Sequence, residues 1–209
     1  MTEILSKSRD DVLKIIQAAQ QGGGPVDLRR ANLSEIDLSQ TNLKGANLAE
    51  ADLYAANLQG IILRDASLIF ANLIRADLSE AILNRTNLVF ANLRLANLQK
   101  TDLSEANLSA ADLGAADLSR ANLFGANLSE ANLDEAHLNG ADLRQTNLQD
   151  ANFTGADLTN SDLRNTNLEL ANLQGTILKN ALYNQTTQWA ADFDPKQAGA
   201  KREKRWFFF

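Results

Sequence analysis

A leucine occurs at every fifth position from Leu28 to Leu178, and only Phe153 replaces it, with another apolar side chain. A small residue, usually alanine, lies two positions before each leucine, and an asparagine or aspartate usually lies between the two. The unit A-[N/D]-L-x-x therefore occurs 31 times between Val26 and Asn180. Because self-similarity at a fixed period is the signature of repeat architectures, this period constrains the fold more than any local propensity does.

The five-residue period is incompatible with a regular helix or a straight strand. On an α-helix successive leucines would be rotated by about 140°, so no apolar stripe would form. In a straight strand, an odd spacing would place successive leucines on opposite faces. The chain must therefore bend over the two positions after each leucine, which often hold turn-forming residues. Glycine occurs there at Gly45, Gly60, Gly125, Gly140, Gly155 and Gly175. The sequence predicts a solenoid with leucine and alanine inside and polar residues outside.

This repeat resembles the pentapeptide-repeat family, and the resemblance covers residues 26–182. The family implies an all-β solenoid, a right-handed quadrilateral parallel β-helix in which four units form one coil. The central leucine and the small residue would then fill the core, and threonines at the small position would adjust its packing. Dividing 31 units by four gives about 7–8 coils, and a rod roughly 37 Å long at a strand spacing of ~4.8 Å.

The ends of the chain depart from the repeat. Residues 1–24 are predicted to form a short N-terminal helical cap, residues 25–182 the β-helix, residues 183–200 a C-terminal cap, and residues 201–209 a tail. We expect a helix from about Ser8 to Gln20, with Ser8 and Asp11 as a capping box, that covers the first coil. Its apolar face would consist of Leu5, Val12, Ile16 and Ala19. A helix that binds a membrane or a partner is the alternative, and its balanced charges disfavour membrane binding.

Residues 183–200 resemble the tail that follows the last coil in many cyanobacterial pentapeptide-repeat proteins, although the usual proline after the middle aromatic residue is missing. We expect Tyr183, Trp189 and Phe193 to cover the C-terminal end of the core. Residues 201–209 place basic residues ahead of four aromatic ones. Three alternatives stay open for this tail: disorder, contact with an anionic membrane surface, or contact with the acidic coil or an apolar patch.

Residues 20 positions apart should stack on neighbouring coils, so the sequence indicates what the outer surface contains. The column that begins at Asp27 is mostly asparagine and predicts an amide ladder. The column that begins at Asp37 alternates carboxylates with neutral side chains, which favours stability because like charges on neighbouring strands repel. Asp142 and Asp162 are the exception, since they should lie directly next to each other.

Apolar residues interrupt the polar exterior in consecutive coils. They form a candidate partner surface that consists of Tyr54, Ile62, Ile69, Phe70, Ile74, Ile82, Val89, Phe90 and Leu95. Contiguous exposed apolar surface usually marks a contact, so a protein partner or a second copy of the chain could bind here. Drift among exposed positions and cover by the C-terminal tail are the alternatives.

The sequence offers little material for chemistry. It has no cysteine and a single histidine, His137, at an outward position, so we expect no metal, no cofactor and no catalytic site. Residues 26–180 hold 20 acidic and 12 basic residues, a net charge of −8, which argues against direct nucleic-acid binding. We find neither a membrane span nor a signal peptide, and therefore expect a cytoplasmic location without membrane contact, except through the tail.

These features favour a non-catalytic structural or protein-interaction module rather than an enzyme. We expect a protein partner whose identity the repeat does not indicate, and a monomer as the favoured oligomeric state. The alternative is mimicry of nucleic acid, because some pentapeptide-repeat proteins resemble B-DNA and bind DNA gyrase. An acidic rod is compatible with such binding to gyrase or another nucleic-acid-binding protein. The alternating aspartates and the arginines that follow some central leucines, such as Arg64 and Arg144, disfavour it.

Overall fold

The computed structural model describes residues 8–203, in which one helix precedes a long series of short, bent units. Helix α1 spans Arg9–Gly22. Strand β1 (Leu182–Tyr183) pairs in parallel with strand β2 (Lys201–Arg202) at the C-terminal end. Between the helix and these strands, each unit contributes a single bridging residue to its neighbours.

Parallel bridges join residues 20 positions apart along the whole repeat from Asp27 to Leu182. At Asn127, for example, the amide donates to Ala106 O at 2.9 Å, and the carbonyl accepts from the Leu108 amide at 2.7 Å. The next residue, Leu128, donates its amide to Asn147 O of the following coil at 2.8 Å, so the coil is hydrogen-bonded on both sides.

Four units separate each residue from its bridge partner, so every coil has four sides. We number the sides by the central residue in the first coil: Leu28 on side 1, Leu33 on side 2, Leu38 on side 3 and Leu43 on side 4. The two residues after each central residue form a corner between consecutive sides, and we call them the first and second turn positions.

A tight turn follows each central residue and produces the bend that the period requires. After Leu108, the amide of Ala111 donates to Leu108 O at 3.0 Å, and Ala110 has φ = 53°. A positive φ at the third residue is typical of a type II turn. The same backbone conformation recurs at the second turn position of other units, even at residues with side chains as large as those of Phe70 and Leu170. Because residues other than glycine are strained there, the hydrogen bonds between coils must hold this conformation.

The core consists of the central leucines and the small residues, most of which are almost completely buried. Phe153 is buried like the leucines whose place it takes. Threonines at the small position beyond the first coil do more than adjust packing, because their hydroxyls donate to the central carbonyl of the preceding coil. Thr86 Oγ1 donates to Leu63 O, and Thr101 Oγ1 donates to Leu78 O, each at 2.8 Å.

The asparagines and aspartates between the core positions link the turn to the neighbouring coil. Asn127 Oδ1 accepts from the Ser129 amide at 3.2 Å, and Asn127 Nδ2 donates to Asn107 Oδ1 at 3.3 Å. Amide–amide bonds continue through Asn147 to Asn167, which places the predicted ladder in the C-terminal part of this column. On side 3, asparagine amides donate to the aspartates of the preceding coil, so the alternation pairs each donor with an acceptor.

Helix α1 has the N-cap that the sequence predicts. Ser8 Oγ accepts from the Asp11 amide at 3.2 Å, and the Asp11 carboxylate accepts from the Ser8 amide at 3.2 Å. Val12 and Ile16 are buried in the same apolar cluster as the coil leucines. The predicted contribution of Leu5 lies outside the described residues.

The coil continues beyond residue 182, after one additional residue in the turn that follows Tyr183. Gln188 bridges Asn167, a spacing of 21 instead of 20 residues. Thr187 Oγ1 donates to Leu163 O at 2.8 Å, as threonines at the small position do elsewhere. A search for a strict five-residue spacing stops at this insertion, which is why the sequence places the end of the coil too early.

Trp189 takes the next central position and packs against the apolar core together with Tyr183 and Phe193. Its ring meets the Tyr183 ring edge-on, with the centroids 5.6 Å apart, and stacks on the Phe193 ring, with the centroids 5.4 Å apart. Strand β2 then pairs with β1 as the last part of the coil, and residues 204–209 lie outside the described part. Within residues 8–203, no helix has the length and apolar character needed to cross a lipid bilayer.

Candidate protein-interaction surface

Phe70 and Phe90 project from the corner between sides 1 and 2, at the second turn position of consecutive coils. Both residues have φ = 57°, and their side chains are 58% and 53% exposed. The ring centroids are 5.0 Å apart, and the ring planes differ by 5°. Because neighbouring strands are about 4.8 Å apart, the spacing of the coils determines the spacing of the rings.

Partly buried aliphatic residues accompany the two rings. We call the resulting group the Phe ridge, which consists of Ile69, Phe70, Val89 and Phe90. Tyr54, Ile74 and Leu95 lie on the next corner, between sides 2 and 3, and Leu95 is 47% exposed. The asparagine column of side 2 lies between these two corners, so they form two parallel apolar strips.

Ile62 and Ile82 bridge each other on side 4 and form a third strip. The corner between sides 4 and 1 carries the ion pair of Asp65 and Arg85, with a distance of 2.6 Å. This charged corner separates the two isoleucines from the Phe ridge. The nine residues of the candidate surface are therefore divided among three strips instead of one continuous patch.

Further large apolar side chains are exposed near the C-terminal end of the described residues. Leu170 is 68% exposed, Ile177 is 49% exposed, and Leu182 is 40% exposed. Leu170 occupies the same column as the rings of the Phe ridge, four coils further along. Its position in that column identifies it from the sequence, but its apolar neighbours Trp189 and Ala191 lie beyond the inserted residue, outside the strict 20-residue spacing.

On side 4, Asp142 and Asp162 bridge each other on neighbouring coils, and arginines separate their charges. Arg144 donates to Asp142 at 2.8 and 2.5 Å, and its Nε lies 3.7 Å from Asp162 Oδ2. Arg164 donates to Asp162 at 2.6 Å and also to Glu203. The hydrogen bonds from Arg144 hold the pKa of Asp142 below its ordinary value, and those to Asp162 and Glu203 raise the pKa of Arg164. Carboxylates and guanidinium groups thus alternate from Asp142 to Glu203, and the pair of Arg164 and Glu203 links the residue after strand β2 to the coil.

His137 lies between Asp117 and Asp157 in the side 3 column. Burial acts to raise the pKa of Asp117, but hydrogen bonds from Ser119 and Gln99 outweigh it and hold that pKa below its ordinary value. Among residues 8–203, no group of three or more histidine, cysteine, aspartate or glutamate side chains is arranged to hold a metal ion.

A family profile described as "Pentapeptide repeats (8 copies)" matches residues 26–60, 61–99, 101–140, 126–165 and 136–175. These segments cover more than half of the chain, so the chain belongs to the pentapeptide-repeat family, which confirms the resemblance drawn from the sequence. Its fold is accordingly an all-β solenoid, the right-handed β-helix of that family. A search of the curated proteins found no match.

Several solved structures are similar. HetL of the cyanobacterium Nostoc sp. strain PCC 7120, a pentapeptide repeat protein involved in heterocyst differentiation regulation, is 31% identical, with 93% of this chain and 92% of HetL covered and a TM-score of 0.35. The pentapeptide repeat protein alr5209, also from Nostoc, is 36% identical, with 51% of this chain and 84% of that chain covered and a TM-score of 0.33. Full-length QnrB1, a plasmid-mediated fluoroquinolone resistance protein, is 16% identical, with 80% of this chain and 89% of QnrB1 covered and a TM-score of 0.43.

Proposed function

We propose that this protein is a non-catalytic interaction module whose β-helix presents the Phe ridge to another protein. The observation that carries this proposal is the stack of Phe70 and Phe90, whose rings are 5.0 Å apart and more than half exposed. The equivalent positions on the two coils before and the two coils after the stack hold charged residues or alanine. Large aromatic side chains contribute most strongly to protein interfaces, and exposed ones at adjacent positions usually mark a contact.

The backbone beneath the rings supports the same proposal because it is held in place before any partner binds. The Phe70 amide donates to Val89 O at 3.1 Å, and the Phe90 amide donates to Ser109 O at 3.2 Å. A ridge that is already ordered loses little conformational entropy on binding. Few residues are then sufficient for a specific contact.

Site-specific photocrosslinking in cells that produce the protein tests this proposal. A photoreactive amino acid at Phe90 should give crosslinked products, whereas the same amino acid at Lys100 should not. Lys100 is a matched control because it belongs to the same coil and turn position, with φ = 56°, but lies on the corner between sides 3 and 4. Equal products from both positions, or none from either, would show that the Phe ridge is not a contact.

A charge substitution provides the second test. Phe70→Glu in the protein that carries the photoreactive residue at position 90 should reduce the crosslinked product about tenfold or more. Leu170→Glu is the matched control, because Leu170 is also exposed in the same column but lies four coils away. Thermal unfolding of both variants should resemble that of the wild type, since both substitutions alter exposed side chains. A product that survives Phe70→Glu unchanged would contradict the proposal.

Mimicry of nucleic acid has weaker support, because most aspartates on the described sides are paired within the protein. On side 3, Asn57 Nδ2 donates to Asp37 Oδ1 at 3.2 Å. On side 4, Arg144 and Arg164 form ion pairs with Asp142 and Asp162. We therefore expect no protection of DNA gyrase in a supercoiling assay with a fluoroquinolone. Protection at a protein concentration comparable to that of gyrase would favour mimicry instead.

We further propose that the 31 units of the strict repeat form about 7–8 coils of the rod and that helix α1 caps its first coil. Val12 is completely buried, and Arg9 Nη1 lies 3.5 Å from Asp37 Oδ1 of the first coil. Val12→Ala should therefore destabilise the protein by about 1–2 kcal/mol, whereas Leu13→Ala, at a residue that is 40% exposed, should have a smaller effect. Similar losses in both variants would contradict a capping role. The cytoplasmic location stays a prediction from the sequence.

A further inference from the structure

We propose that the Phe ridge binds a second copy of this chain, with the two rods antiparallel and the contact centred between Phe70 and Phe90. This inference rests on the proposed function and specifies the partner. It replaces the monomer that the sequence favours with a dimer related by a twofold axis.

The corner between sides 1 and 2 is charged at both ends of a six-coil stretch and apolar at its centre, where the Phe ridge lies. Its residues on six consecutive coils are Arg29–Arg30, Ala49–Glu50, Ile69–Phe70, Val89–Phe90, Ser109–Ala110 and Ser129–Glu130. Apolar residues occupy the centre, and the adjacent coils carry Ala49 and Glu50 on one side and Ser109 and Ala110 on the other. The two ends carry opposite charges, and both ends lie two coils from the nearest ring.

A twofold axis at the centre of the ridge brings complementary residues together. In the antiparallel arrangement, Phe70 faces Phe90 of the partner subunit, Arg30 faces Glu130 of the partner subunit, and Glu50 faces Ala110 of the partner subunit. A parallel arrangement would place each residue opposite its own copy, with arginine against arginine and glutamate against glutamate. Because like charges across an interface are unfavourable, the charges select the antiparallel arrangement.

The repeat itself explains why a second copy fits. Two copies have the same distance between coils, about 4.8 Å, so alignment of the rings also aligns every other pair along the corner. A twofold interface needs only one surface that is complementary to itself. The six coils of this corner meet that requirement over about 24 Å of the rod.

The expected dimer is weak. A contact along one corner is narrow compared with a standard protein interface, so we expect a dissociation constant in roughly the micromolar range. Arg30 already pairs with Glu50 at 2.8 Å, and Arg29 pairs with Asp27 at 2.7 Å. These pairs are exposed, so their rearrangement toward the partner's Glu130 has a small free-energy cost.

Disulfide trapping tests the arrangement directly, because the chain has no cysteine of its own. A mixture of the Arg30→Cys and Glu130→Cys variants should form a mixed disulfide dimer under mild oxidation. Neither variant alone should do so, since equivalent residues of an antiparallel dimer lie about 24 Å apart and a disulfide requires a Cα separation below about 7 Å. Arg30→Cys mixed with Asn160→Cys, on the corner between sides 3 and 4, should give no dimer. Disulfide dimers of Arg30→Cys alone, or none in any mixture, would overturn the proposal.

Sedimentation equilibrium of the purified chain measures the association without any crosslink. The wild type should dimerise with a dissociation constant below about 100 μM, and Phe90→Glu should stay monomeric. Arg30→Glu and Glu130→Arg should each weaken the dimer, and their combination should restore it, because the opposed charges are then exchanged. A combination that is weaker than either single variant would contradict the assigned pairing.

The photocrosslinking experiment separates this inference from the proposed function. If the wild type is monomeric over this concentration range while position 90 captures a different protein, the second copy is excluded and the interaction module stands. If position 90 captures nothing and the chain is monomeric, both are excluded. A crosslinked product with twice the mass of the chain supports both.

Discussion

Gly114 leaves open the space that the guanidinium of Arg94 occupies. A Cβ at position 114 would clash with Arg94 Nη1 and lie 2.7 Å from Asp134 Oδ1. Arg94 Nη1 lies 3.6 Å from Asp112 Oδ1 and 3.8 Å from Asp134 Oδ1. The arginine therefore crosses the coil of Gly114 and reaches a carboxylate two coils away, which only a residue without a side chain at position 114 permits.

Gly114→Ala should have different effects with and without Arg94. Gly114 does not have a positive φ, so alanine should stabilise the protein by about 0.4–1 kcal/mol through the unfolded state where nothing obstructs it. With Arg94 present, the methyl group displaces the guanidinium from its carboxylates, and we expect this gain to be lost. Without Arg94, only the Asp134 carboxylate at the end of its flexible side chain has to rotate away from the methyl group. Urea unfolding of both single variants and of Gly114→Ala/Arg94→Ala measures the coupling. Equal effects of Gly114→Ala in the two backgrounds would contradict this prediction.

Thr101 and Ser161 occupy equivalent, fully buried positions on side 4, but only one of them is hydrogen-bonded. Thr101 Oγ1 donates to Leu78 O at 2.8 Å, whereas Ser161 Oγ has no partner among the described residues. Thr101→Val should therefore destabilise the protein by about 1 kcal/mol, and Ser161→Ala should stabilise it by up to about 1 kcal/mol. Chemical unfolding measures both changes. A loss of stability in Ser161→Ala comparable to that in Thr101→Val would show that the serine hydroxyl does have a partner.

The ion pair between Asp142 and Arg144 should make stability depend on pH. The pKa of Asp142 is lowered in the folded protein by hydrogen bonds from Arg144, so the stabilisation is present above the unfolded pKa, about 3.9. It is lost as the pH falls through the lower, folded pKa. Arg144→Gln should thus destabilise the protein near neutral pH, and its deficit relative to the wild type should shrink in acid.

The measurement is the free energy of unfolding of wild type and Arg144→Gln between about pH 7 and pH 2. Arg120→Gln, an arginine substitution on the corner between sides 3 and 4, is the control and should show a difference from wild type that changes less with pH. A deficit of Arg144→Gln that stays constant or grows toward low pH would reverse the expected sign.

Trp189→Ala should loosen the C-terminal coil without unfolding the middle of the rod. The indole contacts Tyr183 and Phe193, so its removal should destabilise this end by about 2 kcal/mol or more. Amide hydrogen exchange should accelerate at Leu168, whose amide donates to Gln188 O, and stay slow at Leu108. Uniform acceleration along the rod would instead show that the coils unfold together.

The sequence predicts some parts of this protein well because those parts are local. The capping box of Ser8 and Asp11 depends on residues three positions apart, and the structure contains it. The like-charge pair of Asp142 and Asp162 follows from the 20-residue spacing alone. The arginines between those carboxylates could not be assigned in the same way, because long side chains can reach several acceptors and the sequence does not determine which.

The sequence predicts the candidate surface as one patch because the 20-residue spacing shows which residues are neighbours along the rod. It does not show which columns are neighbours around the rod. Ile62 and Ile82 are neighbours along the rod, but the pair of Asp65 and Arg85 separates them from the Phe ridge. At the C-terminal end, one inserted residue after Tyr183 hides the continued coil from a search for period five. The inserted residue lengthens an exposed turn and leaves the strand segments unchanged, so the hydrogen bonds between coils are kept.

By itself the sequence determined that this chain forms a solenoid, because an apolar residue at every fifth position can be buried only if the chain bends within every unit. It also determined which side chains point outward, and that Phe70 stacks on Phe90. Only the tertiary structure decided which outward residues share a corner, where Arg94 finds room to cross Gly114, and how far the coil extends past residue 182. Those outcomes depend on distances around and between coils, and a one-dimensional repeat does not specify them.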